Sequence, residues 1–326
     1  MRRRNLIALL AAAAASLVYP CAPSAQQDER IHRVGILFPA GEIPGLHELK
    51  AAMVSLGHVE GRNIVYDVRA AGREPERLSQ LARELITGKP SVIVSATTPA
   101  ARALSEATRD IPIVLALIGD PMALGLTQNL ARPTRNMTGF TTGNETVAGK
   151  RLEILHEMLP MARKVALLWV RGNAQHRLVV EHTRAAAIAL NIEVLSLPVT
   201  TEEDISPAIT RAEVERAAAL LVAADPMIVR NRRTIIDESL LRNLPTLHSY
   251  SVEVQDGALM SYGGEVGEDY GRAATYVDRI LKGAKIADLP FQEPTQIELV
   301  INLGTARSFG ITVPPSLLNR ADRLIE

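Results

Sequence analysis

After its first thirty residues the sequence alternates short apolar runs with amphipathic stretches, and it does so twice over. Val34-Gly35-Ile36-Leu37-Phe38 is an apolar run stopped by Pro39, and a helical stretch from Leu46 to Leu56 ends at Gly57. Asn63 to Arg69 reads as a second strand. Leu78, Leu81, Ala82, Leu85 and Ile86 then recur at helical spacing and stop at Gly88. Val92-Ile93-Val94, Pro112 to Ile118 and Met137 to Thr141 are further strands, with a helix from Pro99 to Thr108 between the first two. Strand, helix, strand in repetition predicts a parallel sheet covered on both faces.

The second half repeats the plan. A helix over Ala148 to Leu159 precedes a strand at Lys164 to Val170, a long helix to Leu190 and a strand at Ile192 to Leu197. Ala219 to Ala223 is a strand, followed by a helix over Val229 to Leu241 and a strand at Pro245 to Tyr250. The chain then returns through a strand at Ala258 to Tyr262, a helix whose stripe is Val266, Tyr270, Ala273, Val277 and Ile280, and a last strand at Glu298 to Ile301. The fold class is α/β, with two doubly wound, Rossmann-like lobes. The first is expected over 31–143 plus 258–290, and the second over 144–257 plus 291–326. In open α/β sheets ligands sit beyond the carboxyl ends of the strands, so polar residues there are the candidates.

The first residues set the expected compartment. Arg2, Arg3 and Arg4 precede an apolar run from Leu6 to Val18, then small residues and polar Gln26 and Gln27. That order predicts a secretory signal peptide over 1–25 and export to the periplasm. Cys21 is the one cysteine, and Tyr19 and Pro20 stand where a lipidation signal wants small residues. Lipid anchoring there is therefore not expected, and cleavage after Ala25 leaves no cysteine for disulfides or thiol chemistry. The remaining chain has 33 basic and 36 acidic residues, a net charge of −3. Nucleic-acid partners want a strong basic excess, so none is expected. Aromatic residues are 3% of the chain, which counts against a sugar ligand held on ring platforms.

Three constellations carry the candidate chemistry. Ser95, Thr97 and Thr98 end an apolar strand, and Pro99 opens a helix where its missing N–H costs nothing. Thr98 is the expected N-cap, and the free amides of the helix start favour a carboxylate. Asp120 and Asp225 each end an apolar strand before a proline. They read either as turn chemistry or as carboxylates that receive a ligand amine. Thr141, Thr142 and Asn144 stand where a hinge is expected, as cleft lining or as crossover loop. Tyr250 and Tyr262 also end strands and are candidates for contact with a ligand side chain, whereas Trp169 reads as core or rim packing. Glu202-Glu203-Asp204 after Thr200-Thr201 reads as helix capping. No G-x-S-x-G, H-E-x-x-H, P-loop or G-x-G-x-x-G occurs in the chain, and the histidines lack metal-ligand spacing. No catalytic residue, metal or cofactor is expected.

A series of motifs resembles one family, the ABC-transporter substrate-binding proteins that include the tryptophan/tyrosine-type binding proteins. It runs through Leu56-Gly57-His58-Val59-Glu60-Gly61-Arg62-Asn63, Ala70-Ala71-Gly72-Arg73, Ile111-Pro112-Ile113-Val114, Gly119-Asp120-Pro121, Leu130-Ala131-Arg132-Pro133 and Asn136-Met137-Thr138-Gly139. It continues with Lys150-Arg151-Leu152-Glu153, Met260-Ser261-Tyr262-Gly263, Glu298-Leu299-Val300-Ile301-Asn302-Leu303 and Val313-Pro314-Pro315-Ser316-Leu317-Leu318. The resemblance implies a type I periplasmic-binding-protein fold with three crossovers and delivery of a small-molecule solute to a permease with its own ATPase. It also implies a ligand role for the helix start at Ser95 to Thr98. Thr134-Arg135 stands where the family often has Gly-Gly, and Arg171-Gly172-Asn173-Ala174 replaces the usual Asn-Pro turn. Both departures argue against copying a particular ligand.

The resulting expectation is a monomer that captures an amino-acid-like or carboxylate solute between its lobes. The helix start at Thr98 would hold a carboxylate and Asp225 an amine. The alternatives are a periplasmic sensor of the same fold, a secreted α/β enzyme, and the effector domain of a LacI-type regulator. The last would need a helix-turn-helix where the apolar N-terminal run stands.

Overall fold

The computed structural model describes residues 31–39, 45–72, 74–264 and 266–326. The expected signal peptide, with Cys21, lies outside them. The first lobe contains β1 (His32–Phe38), α1 (Leu46–Ser55), β2 (Ile64–Ala70), α2 (Leu78–Thr87), β3 (Val92–Ser95), α3 (Thr98–Ala107), β4 (Ile113–Ile118) and β5 (Met137–Thr141). These strands form a five-stranded sheet in the order β2-β1-β3-β4-β5, parallel throughout. Each strand of a parallel sheet covered by helices is buried on both faces, which is why β3 and β4 read as continuous apolar runs. All four residues of β3 are buried. Val34, Ile36, Val92, Val94 and Val114 form a core on one face, and Leu37, Ile93, Ile113 and Leu115 form one with α2 and α3 on the other.

The second lobe runs through α4 (Ala148–Met158), β6 (Lys164–Val170), α5 (Ala174–Leu190), β7 (Glu193–Val199), α6 (Ile205–Val214), β8 (Leu220–Val222), α7 (Pro226–Arg230), α8 (Arg232–Leu241), β9 (Thr246–His248), α9 (Ser251–Gln255) and β10 (Met260–Gly263). After α10 (Val266–Leu281) it resumes with β11 (Glu298–Asn302), α11 (Leu303–Ser308), α12 (Pro315–Arg320) and β12 (Arg323–Ile325). Its seven strands are ordered β12-β11-β10-β9-β8-β6-β7. The run β7-β6-β8-β9-β10 repeats the first lobe's order. β11 is antiparallel to β10 and parallel to β12. The helix expected over Val229 to Leu241 is broken at Asn231, whose side chain donates to the Met227 carbonyl.

The lobe boundaries differ from expectation at two points. Residues 258–263 were assigned to the first lobe, yet β10 pairs with β9 and extends the second sheet. The eleven residues between β9 and β10, which include α9, are enough to bring the chain back beside β9, so crossing to the other lobe is unnecessary. The return begins with α10, which buries Tyr270, Ala273 and Val277 in the first lobe's core. The third passage falls later than 290. Phe291 packs in the first lobe, and Thr141 N–H donates to the Gln292 carbonyl at 2.8 Å. The chain therefore crosses three times: between β5 and α4, between β10 and α10, and between Gln292 and β11. Arg272 on α10 braces the third crossing by donating to Gln292 Oε1 and the Glu293 carbonyl, with its guanidinium 4.5 Å over the Phe140 ring.

Candidate ligand-binding site

In each lobe the first strand of the unit lies between the second and the third: β2-β1-β3 in one, β7-β6-β8 in the other. The winding reverses there, which opens a crevice beyond the carboxyl ends of β1 and β3, and of β6 and β8. The residues that follow these strands include Ala96 to Thr98, Arg171 to Asn173 and Ala223 to Asp225. Of the constellations singled out in the sequence, the helix start at Thr97 and Thr98 and one aspartate of the second, Asp225, thus fall at the switch points.

On the first-lobe wall, Ser95 is spent on the sheet, because its Oγ donates to the Leu37 carbonyl at 3.0 Å. The cap is one residue earlier than expected. Thr97, not Thr98, precedes α3, with φ +74° and ψ 148°, and it makes no side-chain cap. A β-branched residue is strained in this glycine region. Its N–H is held by the Leu117 carbonyl at 2.7 Å, which pins the strained residue to the strand next door. The hydroxyls of Thr97, Thr98 and Thr141 are buried and without partner among the described residues. A buried hydroxyl left unpaired costs about 1–3 kcal/mol, so the adjacent pair at Thr97 and Thr98 marks a place where a polar ligand fits.

The second-lobe wall is already connected. Asn173 caps α5 by accepting from Gln175 N–H at 3.1 Å, and its amide donates to Asp225 Oδ2 at 3.0 Å. Asp225 Oδ1 accepts from Met227 N–H at 2.8 Å and caps α7. His176 joins the same two turns. Val170 N–H donates to Nδ1 at 2.8 Å, so Nε2 carries the proton and donates to the Ala224 carbonyl at 3.0 Å. Burial holds its pKa below the usual histidine value against the pull of Asp225, and a neutral ring suits this bridge. A cavity of about 300 Å³ separates Thr98, Pro99 and Arg102 of α3 from Gly172, Asn173 and Ala174.

Between the walls the lobes touch. Gln175 Nε2 donates to Glu145 Oε2 at 2.7 Å and to Thr142 Oγ1 at 3.2 Å. A β-carbon on Gly119 would lie 2.6 Å from Gln175 Cδ, so this approach requires glycine. At the base of the crossings, the buried Arg151 of α4 donates to the carbonyls of Tyr262 (2.7 Å) and Asn144 (3.2 Å). Burial lowers its pKa to about 10. Asn144 donates in turn to the Tyr250 hydroxyl at 3.2 Å.

Of the expected site residues, Thr97, Thr98 and Asp225 face the switch points. Thr141, Thr142, Asn144, Tyr250 and the carbonyl of Tyr262 gather at the crossings. Asp120 stays within its own turn, its carboxylate accepting from Met122 and Ala123 N–H at 2.8 and 3.1 Å. Trp169 is a packing residue whose indole N–H donates to Ser196. Asn173, Gln175, His176, Glu145 and Arg151 were not singled out. An arginine inside an amphipathic helix reads as solvent-facing, and nothing local signals its burial. Among the described residues no cluster of three His, Cys, Asp or Glu is placed to hold a metal.

Residues 45–325 match the profile of the family described as ABC transporter substrate binding protein. The chain belongs to this family. A tyrosine-binding protein of Clostridioides difficile (strain R20291) is 25% identical over 271 residues, covering 82% of this chain and 78% of the relative. The family fold, a type I periplasmic-binding-protein architecture, recurs in an ABC domain from Streptococcus pneumonia solved in complex with L-Trp. That structure has a TM-score of 0.84 at 24% identity, covering 90% of this chain and 99% of that one. A ligand-free, open substrate binding protein with adhesive properties from Clostridium difficile superposes with a TM-score of 0.66 at 22% identity, covering 90% and 99%. In this substrate-binding protein Gln175 of the second lobe is seated against Gly119 and Thr142.

Proposed function

We propose that this chain is the exported solute-binding component of an ABC importer. It takes an amino-acid-like or carboxylate solute between its lobes and hands it to a membrane permease with its ATPase. The observation that carries the reading is the mismatch across the cavity between α3 and the turn before α5: Thr97 and Thr98 open α3 with buried hydroxyls that have no partner among the described residues, whereas Asn173 on the other side is already paired with Asp225. The start of α3, with its free amides, suits a carboxylate, and Asp225 suits an ammonium group. The tyrosine-binding relative and the L-Trp complex support an amino-acid cargo. The N-terminal run of arginines and alanines supports export and a periplasmic place of work, where a monomer without cysteine is adequate. Capture needs no covalent step, because closing the lobes excludes water and strengthens each polar contact in the cleft.

Isothermal titration of the purified chain against the standard amino acids and a panel of small organic acids tests this. One or a few of them should bind at micromolar concentration or below. Binding by none would remove the proposed cargo class and leave the family assignment standing.

A further inference from the structure

The turn before α5 lies between two cavities. Asn173 and Ala174 line the one at the start of α3, and they also line a second of about 610 Å³. Asp120, Ala123 and Leu124 of the first lobe border this larger cavity, and β6, β7 and α5 of the second lobe supply the rest of its lining. Its α5 wall is a single face of the helix, because Ala174, Arg177, Leu178, Glu181 and Arg184 recur at intervals of three and four. Arg177 and Arg184, two turns apart, leave the helix about 10 Å from each other along its axis.

The lining combines apolar surface with unpaired positive charge. Trp169 packs on the second-lobe core, and its indole N–H is spent on Ser196 at 2.9 Å. What its ring offers the cavity is therefore apolar surface, which Leu124, Leu178 and Val180 continue. Arg171, Arg177 and Arg184 line the same cavity, and none of them has an ion-pair partner among the described residues. By contrast Arg230, Arg232, Arg242 and Arg320 of the same lobe each hold a carboxylate. Two carboxylates line the cavity as well. Asp120 is occupied within its own turn, and Glu181 stands between Arg177 and Arg184 on the helix face without pairing to either. Three guanidinium groups against two carboxylates leave an excess of positive charge, and the planar guanidinium fork is the side chain that best matches a carboxylate.

We infer that the two adjoining cavities form one divided site, and that the solute carries a second acid group at the far end of a flat apolar body. Its amino-acid end lies at the start of α3, its body against Trp169, and its second acid among Arg171, Arg177 and Arg184. This rests on the cleft being the solute site, and it narrows the cargo to a compound with two acid groups. An amino acid with a purely apolar side chain would leave the three guanidinium groups to water. The arginines are exposed, so they set preference between solutes rather than supply most of the affinity.

The test compares phenylalanine with 4-carboxyphenylalanine, which adds a second acid to the same ring. Both are titrated by calorimetry and by the fluorescence of Trp169, the one tryptophan in the chain. The full chain is used, as wild type and as the double variant Arg177→Gln with Arg184→Gln, with thermal melts as a folding control. Wild type should bind the carboxylated compound about fivefold more tightly, with a change in Trp169 emission. The double variant should bind the two compounds equally, whereas general damage to the fold would weaken both and keep their ratio. Equal binding by wild type, a preference that survives in the double variant, or a bound ring that leaves Trp169 emission unchanged would overturn the inference. So would binding of a standard amino acid by a protein that takes neither probe. Each of these leaves the amino-acid cargo standing. A wild-type protein that binds neither probe nor any standard amino acid removes that cargo, and the inference with it.

Discussion

The two walls of the cleft are built differently. On the second lobe, Asn173, Asp225 and His176 satisfy one another and cap two helices. On the first, Thr97 and Thr98 open α3 with buried hydroxyls that find no partner among the described residues, and Thr97 is held in a strained conformation. The second wall is preorganised, whereas the first keeps its polar capacity for what enters. A binder with both walls satisfied internally would have little to offer a solute. One with both unsatisfied would carry the cost of several orphaned groups in a protein whose whole stability is about 5–15 kcal/mol.

The largest break in this asymmetry should come from the preorganised side. Asp225→Asn keeps a capping oxygen for α7 but removes the charge that would receive an ammonium group. Charge-assisted hydrogen bonds contribute about 1.5–3 kcal/mol, so affinity for an amino acid should fall about 100-fold, read by calorimetry. The new amide also faces the Asn173 amide, so a melting temperature lowered by a few degrees is expected alongside. Affinity within twofold of wild type would move the amine away from this wall.

A smaller effect should follow from forcing the walls apart. Gly119 belongs to the first lobe and Gln175 to the second, and a methyl group at 119 would sit 2.6 Å from Gln175 Cδ. Gln175 is tied at its far end to Glu145 and Thr142, so it cannot swing away freely. Gly119→Ala should weaken binding about tenfold through the cost of closure, with the solution scattering radius enlarged in saturating solute. Gln175→Ala in the same background should recover most of the loss. If it does not, the contact is incidental to closure.

How much of this was legible in the sequence follows from what is local. The strands were legible because parallel strands covered on both faces are apolar at every position, as in Val92-Ile93-Val94. The helix start after Ser95 was legible because Pro99 can open a helix but not continue one. The cap was off by one residue because the φ of Thr97 is set by the Leu117 carbonyl, twenty positions away. β10 was given to the wrong lobe for a similar reason. Its residues say that it is a strand, and only the neighbouring β9 says in which sheet. Arg151 and Asn144 were opaque as a pair, since their partnership is with Tyr262 and Tyr250, a hundred residues later.

The smallest expected effect bears on the open wall itself, and two substitutions at Thr97 separate its two properties. Thr97→Ala removes the hydroxyl and keeps a β-carbon at φ +74°. It should lower affinity severalfold without lowering the melting temperature, because the hydroxyl it removes is buried without a partner among the described residues and such a group is a cost to the fold. Thr97→Gly removes the hydroxyl and the strain together. Relief of a conformation that costs about 1–3 kcal/mol should exceed the roughly 0.5–1 kcal/mol that glycine's unfolded-state freedom takes back. The glycine variant should therefore melt higher than the alanine variant while binding no better. A stabilised protein that binds less well is what strain kept at a ligand wall predicts. If glycine instead restored wild-type affinity, the hydroxyl would be irrelevant and the backbone amide of the α3 start would be the whole contact.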